Sequence, residues 1–402
     1  MKAILFASAL LLAACRPAIA AEPKPEAVAS IERGNALLAK QEFDKAIAEY
    51  SEAIRLDPQN AWAYINRGAG WINKQDFDKA IADYSEAIRL DPQNAWAYIN
   101  RGAAWLNKKD YDKALADYDQ AVRLEPTSVE AYNNRGATWT NKKEYDKAIA
   151  DYDQAIRLDP NSAEAFNNRG AAWMNKHDYD KAIADYQEAI RLAPDVANAK
   201  SNLAEAHLKR GKALLGKNDF DNALVDLDET LRLNPTDAKA SNCRGAAWYA
   251  KKEYDKAIAD YSEALRHDPN YAMAFYNRGI AREKKKDFEK AIGDYNEAIR
   301  LDPNYSRAYS RAAWLKATCA DDHYRNGKEA VELATRANEL TAWSVANNLC
   351  TAAAAFAEAG DFDSAIKYQS KAIDLNVSDA KFVKGAKEHL ALFENHQPIR
   401  DE

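Results

Sequence analysis

The chain repeats itself every 34 residues. Gly34, Gly68, Gly102, Gly136 and Gly170 each follow an arginine at that spacing, and Gly211, Gly245 and Gly279 resume the series after one longer step. Residues 51–69 recur letter for letter at 85–103, the mark of internal duplication. A unit this short cannot enclose a core alone. Each copy must bury its apolar face against the next, which restricts the chain to a linear stack of similar modules.

Within the unit 61–94, Tyr64, Trp71 and Ile72 have helical spacing, and so do Ala80, Ile81, Tyr84, Ala87 and Ile88 after a break at Lys74-Gln75-Asp76. The pattern predicts a helix, a short turn and a second helix. Lys74 falls at the end of the first helix, Asp76 and Asp78 at the start of the second, where a carboxylate caps free N–H groups and meets the positive end of the dipole. Pro92 stops the second helix because it has no N–H for the ladder. Gly68 in mid-helix costs about 1 kcal/mol relative to alanine; that cost is understandable if its missing side chain lets the two helices approach.

Numbering each unit 1 to 34, positions 4, 8, 11, 17, 20, 24, 27 and 32 carry Tyr64, Gly68, Trp71, Phe77, Ala80, Tyr84, Ala87 and Pro92 in one copy. This resembles the tetratricopeptide repeat family over roughly residues 27–379. The resemblance implies an all-α, right-handed superhelical solenoid of stacked helix-turn-helix repeats, the first helix of each lining the concave side. One departure is systematic: position 7, usually leucine in the family, is arginine (Arg33, Arg67, Arg101, Arg135, Arg169, Arg210, Arg244 and Arg278). Its stem can cover apolar surface while the head stays wet.

The expected organisation is a signal segment at 1–20, a linker at 21–26, repeats one to five at 27–196, and repeats six to eight at 197–305. The seven extra residues 197–203, close to two helical turns, read as a lengthened first helix of repeat six. A degenerate ninth unit follows at 306–345, expected to be a weak joint, then a tenth at 346–379. A capping helix and tail occupy 380–402, with the amphipathic pattern running to 398. Near-identical neighbouring units also make register-shifted misfolding accessible.

Lys2, the apolar run Ala3–Ala14 and the end Ala18-Ile19-Ala20 read as an export signal, too short to span a membrane. Two cleavage readings stand. One cuts after Ala20 and gives a periplasmic or secreted protein; the other takes Leu12-Ala13-Ala14-Cys15 as a lipobox, with Cys15 lipidated and the chain anchored to a membrane. Either places the bulk of the protein outside a bacterial cytoplasm. The formal net charge of −6, with no clustered basic face, argues against nucleic acid as a partner. Beyond Cys15 the cysteines number three, Cys243, Cys319 and Cys350, too few for a disulfide framework. The register separates Cys319 from Cys350 by about 13 Å along a helix axis, too far to bridge.

No catalytic, cofactor or metal site is predicted. Gly211–Lys217 has phosphate-loop spacing but sits in a first helix instead of a loop after a strand. Cys319-Ala320-Asp321-Asp322-His323 gathers four metal-ligand types in five residues, and a solvated Asp-rich turn is the plain reading. The functional signal lies in asparagines. Position 6 is Asn66, Asn100, Asn134, Asn168 and Asn277; position 13 is Asn73, Asn107, Asn141 and Asn175. An amide both donates and accepts, so a row of them can hold the backbone of an extended peptide, and the row resembles the asparagine ladder on the concave face of some tetratricopeptide superhelices. The competing account is that duplication copied them and that position 13 serves a helix end.

Trp62 and Trp96 at position 2, with Ile65 and Ile99 at position 5, give the N-terminal part of the predicted groove an aromatic, apolar character. Glu130, Glu164, Asn133 and Asn167 make the next part polar and acidic. Stacking of the tryptophans between repeats is the alternative. The lysine and asparagine pattern that clamps a terminal carboxylate in co-chaperones is missing, since positions 5 and 9 are Ile65, Ala69, Ile99 and Ala103. The expected function is a non-enzymatic scaffold binding an unidentified protein or peptide. The alternative is an envelope assembly component working through its convex face, its ends or self-association.

Overall fold

A computed structural model describes residues 24–196, 198–376 and 378–401. The readings placed on residues 1–20, Cys15 included, lie outside the described residues. The chain divides into two compact units, one ending at Leu203 and one beginning at Ala204.

The first unit pairs α1 (Pro25–Ala39) with α2 (Phe43–Leu56), α3 (Ala61–Asn73) with α4 (Phe77–Leu90), α5 (Ala95–Asn107) with α6 (Tyr111–Leu124), α7 (Val129–Asn141) with α8 (Tyr145–Leu158), and α9 (Ala163–Asn175) with α10 (Tyr179–Leu192). Two residues of the linker expected at 21–26, Pro25 and Glu26, instead open α1, where proline costs nothing because the first N–H groups of a helix have no intrahelical partner. Next comes α11 (Ala199–Gly216), which runs 18 residues where the other first helices of the regular repeats run 13 or 15. The second unit continues with α12 (Phe220–Leu233), α13 (Ala238–Ala250), α14 (Tyr254–His267), α15 (Ala272–Lys284), α16 (Phe288–Leu301), α17 (Ser306–Thr318), α18 (Gly327–Glu339), α19 (Ala346–Glu358), α20 (Phe362–Leu375) and α21 (Ala380–Glu394). Within each unit, helices consecutive in the chain pack on one another, from α1 to α10 and from α12 to α21, the arrangement of an α-solenoid. Among the described residues no helix is long and apolar enough to cross a membrane.

The core is built from two small residues and one ring per repeat. Ala80 and Ala87 are fully buried, and Tyr84 lies flat where Gly68 leaves room: a Cβ on Gly68 would come within 2.6 Å of the ring. The same glycine and tyrosine meet in seven repeats; in the sixth, Leu227 replaces the tyrosine opposite Gly211. Turns are closed by a residue in the left-handed region, Gln75 at φ 60°, Lys109 at 62° and Lys143 at 64°. Asp76 then accepts from Lys79 N–H and caps the second helix.

The position-7 arginines do more than cover apolar surface. Arg101 Nε and Nη2 donate to the two oxygens of Asp117 at 2.9 and 2.7 Å, and Nη1 reaches Ser85 of the preceding repeat at 3.1 Å. Arg67, Arg135, Arg169, Arg244 and Arg278 repeat the fork on Asp83, Asp151, Asp185, Asp260 and Asp294. Each guanidinium therefore ties the two helices of its own repeat to the second helix before it. The lysines at position 14 add a further inter-repeat link, Lys142 to Asp112 at 2.5 Å and Lys74 to Asp44, while Trp71 lies between Lys74 and Lys79 at 5.9 and 4.4 Å.

The end of the chain departs from expectation. The final helix stops at Glu394 rather than 398, His396 turns left-handed at φ 56°, and residues 399–401 run back to α17. The degenerate ninth unit is thereby strapped down by the tail.

Candidate functional site

At 100° per residue, positions 2, 6, 9 and 13 of a first helix fall within about 60° of one another and form one stripe. In the first unit α1, α3, α5, α7 and α9 approach one another successively, whereas the second helices do not do so to the same degree. The stack therefore bends toward the first helices, and the stripe faces its inner side.

Trp62 and Trp96 stand on this stripe 48% and 36% exposed, and Met273, at the same position in the second unit, is 48% exposed. The tryptophans do not stack between repeats. Ile65 and Ile99, expected beside them in the groove, are 5% and 1% exposed and belong to the core. The reason is angular: position 5 is rotated off the stripe toward the neighbouring helix, so a side chain there meets protein and not a ligand.

The asparagine row divides in two, and the residue one repeat back at position 5 decides which way each member goes. Where that residue is asparagine, the amide bonds across the repeats: Asn168 Nδ2 to Asn133 Oδ1 at 3.1 Å, Asn277 Nδ2 to Asn242 Oδ1 at 3.0 Å, and likewise Asn202 to Asn167 at 3.1 Å. Where it is Ile31, Ile65 or Ile99, no such partner exists. Asn66 and Asn134 then make no side-chain hydrogen bond among the described residues, and Asn100 donates back to the Trp96 carbonyl at 2.9 Å. The position-13 amides of Asn73, Asn107, Asn141 and Asn175 all donate to the carbonyl four residues earlier, at 2.8 to 2.9 Å. They close helix ends.

Position 2 changes character along the first unit, from Trp62 and Trp96 to Glu130 and Glu164. Glu130 is half-buried and has no ion pair among the described residues; burial, with the like charges of Glu164 and Glu125 behind it, raises its carboxyl to about 7. Beneath it the fully buried Tyr118 hydroxyl has no hydrogen-bond partner among the described residues.

The Cys319–His323 turn does not converge on a metal. Cys319 is 2% exposed in the core, Asp321 accepts from His323 N–H at 3.0 Å to close the turn, and Arg325 Nη1 donates to the Cys319 and Ala320 carbonyls at 2.7 and 3.0 Å. Among the described residues no group of three or more His, Cys, Asp and Glu is placed to hold a metal ion. Cys243, Cys319 and Cys350 are free thiols, and burial pushes Cys350 up to about 11. Sequence reasoning missed the position-5 asparagines as partners of position 6, although their spacing of 35 residues was visible. It also missed Trp314, Thr318 and Glu358, described below.

Family profiles match much of the chain. One described as TPR repeat covers residues 34–69 and 72–109; one described as tetratricopeptide repeat covers 95–128, 129–162, 163–196 and 272–305; a second of that description covers 208–272. No curated protein matches. Among solved structures, YrrB, a TPR protein with an unusual peptide-binding site, is 25% identical with a TM-score of 0.37, the match covering 48% of this chain and 95% of that one. A tetratricopeptide repeat protein from Parabacteroides merdae is 20% identical with a TM-score of 0.43, covering 64% and 99%. Yeast Tom70 is 16% identical with a TM-score of 0.37, covering 91% and 96%.

Proposed function

The chain belongs to the tetratricopeptide repeat family, and we propose that it is a non-enzymatic scaffold that holds an extended polypeptide segment along the first-helix stripe of repeats two to five. One observation carries the reading. Among the described residues Trp62 and Trp96 are the large aromatic side chains left exposed, on the same stripe as Asn66 and Asn134, whose amides have no partner there. Exposed tryptophan in a concave surface is a binding anchor, and a free amide can pair with the N–H or C=O of a backbone whatever its side chains. The Arg-Asp forks beneath keep successive stripes in register, so the site is preorganised.

The proposal also places the chain outside the cytoplasm, on the strength of the residue pattern at 1–20; chain recovered from cells that still begins at Met1 would contradict that part. The binding part is tested by selecting peptides from a displayed random library on the wild-type protein and measuring them on Trp62→Ala/Trp96→Ala and on Asn66→Ala/Asn134→Ala. Loss of a buried aromatic anchor weakens binding by about thirtyfold or more, and loss of the amides weakens it whatever the peptide sequence. Peptides that bind all three proteins equally would overturn the assignment.

A further inference from the structure

Beyond α21 the chain supplies an extended segment of its own to the first helices of repeats nine and ten. Asp401 Oδ2 accepts from Trp314 Nε1 at 2.5 Å and from Thr318 Oγ1 at 2.8 Å, and Asp401 N–H donates to the Thr318 carbonyl at 2.8 Å. Arg400 Nη1 lies 2.6 Å from Glu358 Oε2, an ion pair by proximity rather than a directed hydrogen bond. Ile399 is 5% exposed among Phe393 and the alanines of α17 and α19. Arg325 braces the receiving side, donating from Nε to Glu358 Oε1 at 3.1 Å.

The receiving side chains occupy stripe positions: Trp314 is position 9 of its unit, Thr318 and Glu358 are position 13 of theirs. Where repeats two to five carry alanine and asparagine at these places, repeats nine and ten carry an indole donor, a hydroxyl and a carboxylate. The backbone contact is a single isolated parallel bridge between Cys319 and Asp401, which is independent of sequence, while the side chains of all three residues provide selection. Phe393 of α21, fully buried, already covers the last repeat, and Arg400 and Asp401 stay exposed to solvent on their outer sides.

We propose that repeats nine and ten form a selective site for an extended segment of the pattern aliphatic–arginine–carboxylate, that residues 399–401 are its resident occupant, and that a partner protein bearing such a segment competes with them. The site shares no residue with the stripe of repeats two to five and does not depend on the reading given to that stripe.

The test uses a fluorescent peptide of residues 396–402 and the full chain. Ile399→Glu/Asp401→Ala frees the site and is expected to bind the peptide. The wild type binds it more weakly, because a tethered occupant acts at an effective concentration of about 1 mM; for a peptide Kd of about 10 µM that is roughly a hundredfold. Adding Trp314→Phe to the freed protein removes the indole donor to the carboxylate and weakens binding by about tenfold. Arg400→Glu, an exposed change that turns the Glu358 contact repulsive, frees the site by a second route if the first variant loses its last repeat. Peptides selected on repeats two to five bind all these proteins alike, so failure of either site is read separately. A folded, freed protein that ignores the peptide, or one indifferent to Trp314→Phe, would reduce the segment to a structural strap and overturn the proposal.

Discussion

Replacing glycine by alanine in mid-helix should have opposite signs at different positions of this chain. The helix itself gains about 1 kcal/mol from the change. At Gly102 the new Cβ meets three ring carbons of Tyr118 at 2.8, 2.9 and 3.1 Å, and that ring is fully buried. Ordinary contact begins at 3.4 Å, so the ring must give by about half an ångström or more in a packed core, at a cost of about 2–3 kcal/mol. Gly102→Ala is therefore net destabilising by about 1–2 kcal/mol. At Gly211 the neighbour is Leu227, 3.1 Å away at a branched carbon, and the two effects come close to cancelling. At Gly293, with nothing within 4 Å, the full gain of about 1 kcal/mol remains. Repeat arrays unfold in parts, so the readout should be local: hydrogen exchange by mass spectrometry over α5 and α6, α11 and α12, and α16. Expected are exchange about five to thirty times faster, little change, and about five times slower respectively. Equal effects at the three sites would refute the claim that the repeat glycine exists to admit the position-24 ring.

Glu130 makes stability depend on pH in a stated direction. Its folded carboxyl is raised from 4.5 to about 7, so the protonated form favours the fold; that contribution is complete below about 4.5 and is lost as pH rises through about 7. Glu130→Gln, uncharged throughout, should match the wild type at pH 4 and exceed it by about 1–2 kcal/mol at pH 8, after discounting for partial exposure; urea unfolding at the two pH values checks this, and equal stability at pH 8 contradicts it. For the Arg-Asp forks, Asp117→Leu leaves the Arg101 guanidinium, only 23% exposed, without its carboxylate. It should cost about 2–4 kcal/mol, most of it recovered in Arg101→Met/Asp117→Leu; a double variant as unstable as the sum of its singles would rule out the pairing as the cause.

What could be read from the sequence follows from the range of each contact. Gly68 and Tyr84 are 16 residues apart in a copied unit, so their meeting was implied by periodicity and by the cost of a mid-helix glycine. Arg101 and Asp117 are also 16 apart in every copy, yet a charge on a helix taken alone reads as solvated, and the pairing went unread. The asparagines show where copying misleads. Asn100 and Asn168 are equivalent letters, but Asn100 follows Ile65 and turns back to its own helix, whereas Asn168 follows Asn133 and bonds across. Ile65 and Ile99 were misplaced because an apolar residue one position from the stripe looks the same in sequence as one on it. The tail contact could not be seen at all, since Asp401 and Trp314 lie 87 residues apart with no second copy of the pair to reveal a period.

The central claim is that the first-helix face of repeats two to five is where partners are held. Site-specific photocrosslinking addresses it most directly, with p-benzoylphenylalanine replacing Trp96 on the stripe or Arg89 on the second helix of the neighbouring repeat. A library-selected peptide is expected to be captured through residue 96, with the crosslink lost on competition by unlabelled peptide, and residue 89 to capture none. Capture through residue 89 alone, or equally through both, would contradict it and move the working surface to the other side of the stack.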